Sequence, residues 1–511
     1  MSGVGRRFID AGFDVPKPLV EVDGYPMIQH VVNLFPGVDD VLFICNVDHI
    51  RNTDMNNILT EISPNCRIHT IEKARGPVDA VLKASHLINE TKEAIVSYCD
   101  YGTVWDFDEF IKKTRNSECD GMIPCYTGFH PHMLGHDNYA FCREANGMLL
   151  EIQEKRPFTK NKMSEFASNG TYYFRNGGMI KKYFSDLVDL NMDLNGEFYV
   201  SMVYNLLVRD GMRVGIFEID KMLQWGTPYD LNIYKWWSDY FFEKKKQRAR
   251  FYHDDDTTLV LPMAGAGSRF SECGCLLPKP LIPVDGNPMF VTAVESLPVV
   301  KNKAFACLVK HVDEWDIDDR IHECFSGSHV MSIESKTSGQ AITCRMCIEW
   351  FELDPEKPIL ISACDNGVLY DADAYGKLVD DDSVDIIVWS FRNNQASKTN
   401  PNMYAWLDVD DKGFIKRVSC KNFIYDDPLT THAIVGTMFF RKAKYFLDGL
   451  KANVDNDIRT NGEFYVDDVL SRNIESGLNL KVFEVEKYVC WGTPNDLKVC
   501  EYWDEYFNSK Q

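Results

Sequence analysis

The sequence predicts two tandem α/β domains, each with a mixed, mainly parallel β-sheet flanked by helices. Two observations predict this class: the chain contains one long internal repeat, and within each copy short apolar segments alternate with helical patterns. A repeat unit of about 250 residues is far longer than a solenoid unit, so each copy is a domain and not a stacked module. The alternation of strands and helices in each copy indicates a Rossmann-like architecture.

The repeat is defined by short motifs that return in the same order and at nearly constant spacing. GVGRR at residues 3–7 returns as GAGSR at 265–269, PKPL at 16–19 returns at 278–281, NGEFYV at 195–200 returns at 461–466, and WGTP at 225–228 returns at 491–494. The copies therefore differ only by small changes in loops. We predict domain 1 at residues 1–243, a charged linker at 244–256 and domain 2 at 257–511.

Short apolar segments of strand length predict the sheets. Residues 41–45 and 94–98 have this pattern in the first copy, and residues 359–362 and 385–389 have it in the second. Near-continuous apolar strands separated by helices are typical of parallel sheets that are covered on both faces. We therefore expect a buried, mainly parallel sheet in each copy.

The helices are predicted from apolar spacing and aromatic content. Met27, Val31 and Phe35 recur every four residues, which predicts an amphipathic helix. Each copy ends in an aromatic segment, at residues 229–242 and 495–507. We interpret these segments as helices whose tryptophans and tyrosines pack in a core or an interface.

Composition and charge exclude several functional classes. The 511 residues include 45% hydrophobic and 26% charged residues, as in folded globular proteins, and the formal net charge of −21 disfavours nucleic acids and anionic membranes as partners. No apolar run approaches the roughly 18 residues of a membrane span, and no secretory signal follows Arg6 and Arg7. We expect a cytoplasmic protein with reduced cysteines. Cys344 and Cys347 are interpreted as core-facing, with a metal or redox role as the alternative, and a homo-oligomer is left open.

The second copy has a complete glycine-rich turn next to two cations. An apolar segment at 258–261 leads into this turn, and backbone N–H groups between a strand and a helix can approach phosphate oxygens closely. Arg269 and Lys279 follow the turn, and two cations beside one glycine loop suit a triphosphate whose pyrophosphate leaves as an anion. The candidate nucleotide-binding residues of this turn are Gly265, Ala266 and Gly267.

The pattern G-x-G-x-R, followed by P-K-P-L and V-x-G-x-P-M, resembles the opening signature of sugar-phosphate nucleotidyltransferases, and the resemblance extends over essentially the whole chain, twice. These enzymes condense a nucleoside triphosphate with a sugar 1-phosphate or a related phosphorylated small molecule and release pyrophosphate. The resemblance implies that the triphosphate is bound and activated by Gly265, Gly267, Arg269 and Lys279 in the second copy and by Gly3, Gly5, Arg7 and Lys17 in the first.

One aspartate follows an apolar strand in each copy. Asp100 and Asp365 lie where ligands bind in open α/β sheets, and Mg²⁺ prefers carboxylate and phosphate oxygens. The resemblance implies that both bind the metal; a capping role in the following turn is the alternative. Related glycosyltransferases have a D-x-D here, which this sequence lacks.

The resemblance also implies a loop that selects the nucleobase. Gly76 and Gly339 lie at this point, and Gln340 has the donor and acceptor that base recognition needs. A simple turn at both positions is the alternative interpretation.

On the acceptor side, the first copy matches the family better than the second. The resemblance implies that Glu154 accepts hydrogen bonds from acceptor hydroxyls, that Lys155 binds the acceptor phosphate, and that Gly170 and Glu197 complete this site. The second copy has Cys420 in place of the first glutamate, and a thiol cannot replace a carboxylate there. Its remaining candidates are Lys421, Gly436 and Glu463.

Two departures from the family pattern concern the metal and the first strand. A second metal-binding aspartate is replaced by Gln224 and Cys490, so either Asp220 and Glu486 take over, or one aspartate suffices with phosphates and water. The first copy begins at Met1 and has no counterpart to residues 258–262. Either the natural start lies upstream, or another segment fills the gap, or the first glycine loop is poorly held and that copy is catalytically compromised.

The sequence therefore predicts a Mg²⁺-dependent nucleotidyltransferase that acts in the synthesis of surface glycans or related conjugates. Two alternatives remain: only one copy is catalytic, or the protein is a non-catalytic sensor of nucleotide or sugar phosphate. The sequence does not identify the base or the acceptor.

Overall fold

The computed structural model describes residues 1–247 and 251–509, and the chain divides into two compact units. Unit 1 is Met1–Ser238 and unit 2 is Asp239–Gln511. The segment 244–256, predicted as a linker, includes the end of a helix that extends to Gln247 and the start of a strand at His253.

Unit 1 has the alternating elements that the sequence predicts. Its helices are α1 (Arg6–Asp10), α2 (Met27–Asn33), α3 (Val47–Asn52), α4 (Met55–Ile62), α5 (Pro77–Lys83), α6 (Phe107–Asn116), α7 (Gly177–Asp189), α8 (Val200–Arg209) and α9 (Pro228–Gln247), the last of which continues past the unit boundary. Its strands are β1 (Glu21–Val22), β2 (Tyr25–Pro26), β3 (Leu42–Asn46), β4 (Arg67–Ile71), β5 (Ala94–Ser97), β6 (Tyr101–Val104), β7 (Gly121–Tyr126), β8 (Ala140–Ala145), β9 (Met148–Glu154), β10 (Phe166–Ser168), β11 (Thr171–Phe174), β12 (Val214–Glu218) and β13 (Lys221–Gln224). The strands predicted at 41–45 and 94–98 are confirmed as β3 and β5, and α2 ends before Phe35.

The main sheet of unit 1 is mixed, but it is not mainly parallel. Its order is β10-β8-β9-β12-β7-β11-β5. Only β7–β12, and the separate pair β3–β4, are parallel among the described strands of this unit. The prediction of a mainly parallel sheet is therefore wrong for unit 1. Continuous apolar segments indicate burial on both faces, and they do not fix the direction of the neighbouring strand.

A gap separates β3 from β5 in unit 1. Within the described residues no strand lies between them, so β3 and β4 form a sheet of their own. Met1 lies at one end of this gap, where its carbonyl oxygen accepts a hydrogen bond from the N–H of Asn46 at 3.3 Å. Residues of β5 are only partly buried. Among the described strands, β3 pairs only with β4 and β5 pairs only with β11.

Unit 2 contains the following elements. Its helices are α10 (Ser268–Glu272), α11 (Met289–Glu295), α12 (Val309–Trp315), α13 (Ile317–Cys324), α14 (Gln340–Trp350), α15 (Ala372–Val379), α16 (Gln395–Thr399), α17 (Ala443–Asp455), α18 (Val466–Glu475) and α19 (Pro494–Ser509). Its strands are β14 (His253–Pro262), β15 (Pro283–Val284), β16 (Asn287–Pro288), β17 (Val299–Leu308), β18 (His329–Ile333), β19 (Ile359–Ile361), β20 (Asn366–Leu369), β21 (Ile386–Phe391), β22 (Ala405–Val409), β23 (Ile415–Cys420), β24 (His432–Phe440), β25 (Leu480–Glu484) and β26 (Lys487–Cys490). The strands predicted at 359–362 and 385–389 are confirmed as β19 and β21.

In unit 2 a continuous sheet runs β18-β17-β14-β19-β24-β21-β25. β14 lies inside it and pairs in parallel with β17 and β19. Its side chains alternate: Leu259 and Leu261 pack into the core on one face, and Val260 packs into the core on the other. Parallel pairing holds on the β14 side, whereas β24 is antiparallel to β19 and β21, so the sheet is mixed.

The C-x-x-C pair lies in the core, as the sequence predicts. Cys344 and Cys347 lie on α14, are buried in the core and form no disulfide. Within residues 1–247 and 251–509, no helix combines the length and the apolar composition that a membrane span requires.

Candidate functional site

Each glycine-rich turn contacts the lysine of the following P-K-P-L motif. Gly5 and Gly267 have φ angles of 72° and 60° and begin α1 and α10, so both adopt the left-handed conformation that glycine allows without strain. A Cβ atom at Gly267 would lie 3.1 Å from the Cβ of Lys279, and one at Gly5 would lie 3.4 Å from the Cβ of Lys17. The glycine turn and the lysine of the P-K-P-L motif are separated in sequence, but they therefore form one site.

In unit 2 the lysine forms an ion pair with the predicted metal-binding aspartate. The ammonium group of Lys279 donates a hydrogen bond to the carboxylate of Asp365, which follows β19. Burial alone would lower the pKa of Lys279, but the charge of Asp365, the hydrogen bond to it and the nearby Cys364 and Cys490 together outweigh burial, and the pKa is raised. The site thus holds one fixed positive and one fixed negative group beside a turn of backbone N–H groups.

Unit 1 has the same ion pair. Lys17 donates to the carboxylate of Asp100 and, at 2.7 Å, to the backbone carbonyl of Gly226 in the W-G-T-P motif. A Cβ atom at Gly226 would lie 3.2 Å from Asp100, and one at Gly492 would lie 3.1 Å from Asp365. The glycine of each W-G-T-P motif therefore lets this turn approach the carboxylate.

The two predicted arginines lie at the start of the helices that follow the glycine turns. Arg7 and Arg269 are both exposed. Burial and Glu197 raise the pKa of Tyr199, and the charge of Arg7 opposes this rise, so Arg7 lies near the predicted acceptor site. Among the contacts of the described residues, none joins the Arg269 side chain to Lys279 or Asp365.

The upstream carboxylates proposed as second metal ligands lie at the wrong end of their strands. β13 is antiparallel to β6, with Gln224 opposite Tyr101, whereas the N–H of Asp220 bonds to the carbonyl of Val104 at the other end. Four residues of strand span about 13 Å, so Asp220 does not reach Asp100.

In unit 2, Glu486 likewise lies at the wrong end of its strand. Cys490 lies opposite Asn366, whereas the N–H of Glu486 donates to the carbonyl of Leu369 at the other end. That alternative is therefore wrong for both units. Within the described residues no group of three or more His, Cys, Asp or Glu side chains is arranged to hold a metal.

A second acidic residue near each ion pair was missed in the sequence. The hydroxyl of Thr493 donates to the Asp496 carboxylate at 2.6 Å, and Thr227 and Asp230 form the same contact in unit 1. Burial raises the pKa of Asp496, and the nearby charge of Asp365 contributes to the rise. The repeated T-P-x-D spacing, which places an aspartate in the first turn of a helix, was the signal that could have identified it.

The glycines of the predicted base-selecting loop have a packing role. Gly76 and Gly339 precede α5 and α14, and a Cβ atom at Gly339 would lie 2.4 Å from the backbone nitrogen of Phe464. The N–H of Ala341 donates to the carbonyl of Phe464 at 3.1 Å, and Val78 and Phe198 form the equivalent bond in unit 1. Glycine is required because this loop and the N-G-E-F-Y-V loop approach backbone to backbone. Gln340 is the first residue of α14.

The predicted acceptor residues of unit 1 form one connected cluster. The hydroxyl of Ser201, in the first turn of α8, donates to Glu154 at 2.6 Å. Lys155 donates to the hydroxyl of Tyr199 at 2.5 Å, and that hydroxyl donates to Glu197. Burial raises the pKa of Glu154, while Ser201 and Lys155 oppose the rise. Sequence reasoning found Glu154, Lys155 and Glu197 but missed Tyr199 and Ser201.

Gly170 connects this cluster to the aspartate strand. Its φ is 94°, its carbonyl accepts from the N–H of Tyr98 at 3.1 Å, and a Cβ atom would lie 3.0 Å from the Tyr98 ring. Tyr98 is two residues before Asp100, and burial, Tyr172 and the charge of Glu154 raise its pKa, so the acceptor cluster and the ion pair are neighbours. Gly436, with a φ of 98°, lies near Ala363 in unit 2.

The acceptor side of unit 2 differs from that of unit 1. Lys421 donates to the backbone carbonyl of Met403 and lies 5.6 Å from the centre of the Tyr465 ring. Glu463 is exposed. Burial raises the pKa of the Cys420 thiol, and the adjacent Asp467 raises it further, so the thiol is neutral at pH 7.

A separate surface depression in unit 1 contains none of these residues. It is lined by residues that include Glu93, Arg115 and Arg175, and lies at the end of β5 opposite to Asp100.

Residues 1–221 match the family model described as nucleotidyl transferase. Two solved structures are similar to the chain. The nucleoside-diphosphate-sugar pyrophosphorylase from Vibrio cholerae RC9 is 16% identical, with 47% of this chain and 98% of that chain covered and a TM-score of 0.39. The inositol-1-phosphate CTP transferase from T. maritima is 15% identical, with 50% and 98% covered and a TM-score of 0.39. No curated protein matches the sequence at a significant level.

Proposed function

We propose that the protein transfers an NMP group from a nucleoside triphosphate to a sugar phosphate or a related phosphorylated small molecule and releases pyrophosphate. The observation that carries this proposal is the ion pair between Lys279 and Asp365, beside a left-handed glycine turn, repeated by Lys17 and Asp100 in unit 1. Under this proposal unit 2, like unit 1, is a nucleotidyltransferase domain.

The triphosphate binds across each glycine turn. Backbone N–H groups at the start of α10 and the ammonium group of Lys279 face the phosphates, and Arg269 extends from the first turn of this helix. When the triphosphate enters, its negative charge replaces Asp365 as the partner of Lys279. This lysine then stabilises the charge that develops on the departing pyrophosphate.

The acceptor binds on the other side of the ion pair. In unit 1 Lys155 binds its phosphate and Glu154 accepts hydrogen bonds from its hydroxyl groups. A phosphate oxygen attacks the α-phosphorus in line, and the bond to the pyrophosphate oxygen breaks. The acceptor phosphate is already anionic at neutral pH, so this step requires orientation more than a general base.

Asp100 and Asp365 are the residues that would hold Mg²⁺. Their carboxylate oxygens are hard ligands, whereas the neighbouring Gln224 and Cys490 accept hydrogen bonds from Gly226 and Gly492 and offer no second anionic oxygen. The donor set fits a magnesium ion bound by one carboxylate together with phosphates and water. Bound there, the ion would neutralise phosphate charge.

The cellular role that fits this chemistry is the supply of activated precursors for surface glycans or related conjugates in the cytoplasm. The acceptor is a sugar phosphate or a phosphorylated alcohol.

The experiment that tests the proposal is a screen for pyrophosphate release. The full chain is incubated with Mg²⁺, each of the four ribonucleoside triphosphates and a pool of phosphorylated sugars and alcohols. Release that depends on one triphosphate and one acceptor, and stops when Mg²⁺ is chelated, is the expected result. Binding of nucleotide with no release from any pair would favour the alternative of a non-catalytic sensor.

A further inference from the structure

On the acceptor side of unit 2, the strand position that carries a carboxylate in unit 1 carries a thiol. The helix position that carries a hydroxyl in unit 1 carries a carboxylate. Cys420 ends β23 at the position where Glu154 ends β9 in the repeat. Asp467 lies in the first turn of α18 at the position of Ser201 in α8. The strand–helix pair is thus a glutamate and a serine in unit 1, and a cysteine and an aspartate in unit 2.

The geometry of unit 1 shows that these two positions face each other. Ser201 donates to Glu154 at 2.6 Å, so the first turn of α8 and the end of β9 meet at the acceptor cluster. In unit 2 α18 packs against β23, so the same two positions lie on elements in contact, and burial together with the charge of Asp467 raises the pKa of Cys420. An exchange of residues across this contact therefore keeps one carboxylate in the pocket.

Asp467 is ionised at neutral pH although its surroundings raise its pKa. Burial raises the pKa of Asp467 to about 6, Asp468 adds to the rise, and Lys421 opposes it. Burial also raises the pKa of Asp468, and Thr460 and Cys420 oppose the rise, but the Oδ2 atom of Asp468 has no hydrogen-bond partner among the described residues. Among the described residues, none donates a hydrogen bond to the Asp467 carboxylate, and Lys421 is a cation whose charge acts on it.

We propose that Asp467 provides the carboxylate that accepts hydrogen bonds from the acceptor hydroxyls in unit 2, in place of the glutamate that Cys420 replaces. This inference rests on the proposed function. Because the carboxylate now comes from the helix and not from the strand, unit 2 binds a polyhydroxylated phosphate whose hydroxyls are arranged differently from those of the unit 1 acceptor. Asp467 is a specificity-determining residue, and Lys421 beside it binds the acceptor phosphate.

The test uses the full chain with unit 1 silenced by Lys17→Ala. In this background, Asp467→Asn is expected to raise the KM for the acceptor by about 10-fold or more, because it removes a charged hydrogen-bond acceptor. The KM for the triphosphate is expected to change less than twofold. Asp382→Asn, at a fully exposed carboxylate in unit 2, is the matched control and leaves both values unchanged.

A double exchange separates a binding role from a structural one. Cys420→Glu with Asp467→Ser rebuilds the arrangement of unit 1, and it is expected to shift the acceptor preference of unit 2 toward the acceptor of unit 1. Thermal unfolding of each variant verifies that it is folded. If Asp467→Asn does not fold and the double exchange does, the acceptor preference of the double exchange decides whether the inference holds. If neither variant folds, Asp467 has a structural role and the inference is overturned.

The outcomes distinguish this inference from the proposed function. An unchanged acceptor KM in Asp467→Asn, with pyrophosphate release intact, overturns the inference and leaves the proposed function standing. The absence of pyrophosphate release from the Lys17→Ala protein with every triphosphate and acceptor overturns the proposed function for unit 2, and this inference with it.

Discussion

The ammonium group of Lys279 forms an ion pair with the carboxylate of Asp365, although the two residues lie 86 positions apart in sequence. The fold brings them together because Lys279 packs against Gly267 in the turn after β14, and Asp365 follows the adjacent strand β19. Neighbouring parallel strands end at the same edge of a sheet, so the turn and the aspartate converge there. The order of the strands in the sheet therefore determines which residues meet in each candidate active site.

Replacement of the two lysines tests which units are catalytic. We expect Lys279→Ala and Lys17→Ala each to lower the kcat of the unit concerned by about 10²–10³-fold, because a charge that stabilises the leaving pyrophosphate is lost. The measurement is pyrophosphate release by each single variant and by the double variant. Lys310→Ala, at an exposed lysine on α12, is the control. If one single variant abolishes all activity and the other changes nothing, only one unit is catalytic.

Gly339→Ala is expected to destabilise unit 2 by more than about 2 kcal/mol. The new Cβ would lie 2.4 Å from backbone atoms of Phe464, which cannot move without breaking the bond between the two loops. Gly477→Ala is the matched control: its φ is also positive, at 85°, but nothing lies within 4 Å of its Cβ. Its cost is therefore about 1 kcal/mol, from backbone conformation alone. Urea unfolding of both variants measures the difference, and equal losses would contradict a role for the close approach.

Asp467→Asn is expected to make the folded protein more stable at pH 7.5. Burial raises the pKa of Asp467 to about 6, above the unfolded value, so the ionised carboxylate opposes folding at neutral pH. This penalty, on the order of 1–3 kcal/mol, disappears as the pH falls from about 6 toward 4, because the folded state then holds the proton. The free energy of unfolding, measured by urea at several pH values, should differ between wild type and variant at pH 7.5 and converge near pH 4. A difference in the free energy of unfolding that stays constant with pH would contradict a raised pKa for Asp467.

The gap between β3 and β5 should accept an added strand. An extension TTLVLP, a copy of residues 257–262, placed directly ahead of Met1 is expected to stabilise unit 1 by several kcal/mol, since it would restore ladder hydrogen bonds worth about 1 kcal/mol each and bury apolar side chains. Slower amide exchange in β3 and β5 is the expected signature. The control extension TTDVDP has the same length but places carboxylates in the core. Equal exchange rates with both extensions would refute the prediction.

The sequence by itself determined the parts of this protein that depend on local chemistry. The glycine turns, the apolar strands and the lysines of P-K-P-L were predicted because each has a local physical requirement, such as the left-handed backbone of Gly267. Repetition of the motifs strengthened every one of these predictions. The strand-end aspartates were predicted because the carboxyl edge of a sheet follows from strand pattern alone.

Only the tertiary structure decided which distant groups meet. Strand direction could not be predicted from apolar content, because burial on both faces does not specify the direction of a neighbour. The antiparallel register of β13 and β26 excluded Asp220 and Glu486 as metal ligands, and the contact between β23 and α18 revealed Asp467 opposite Cys420. These relationships depend on pairing and packing between segments far apart in the chain, and no local sequence pattern specifies them.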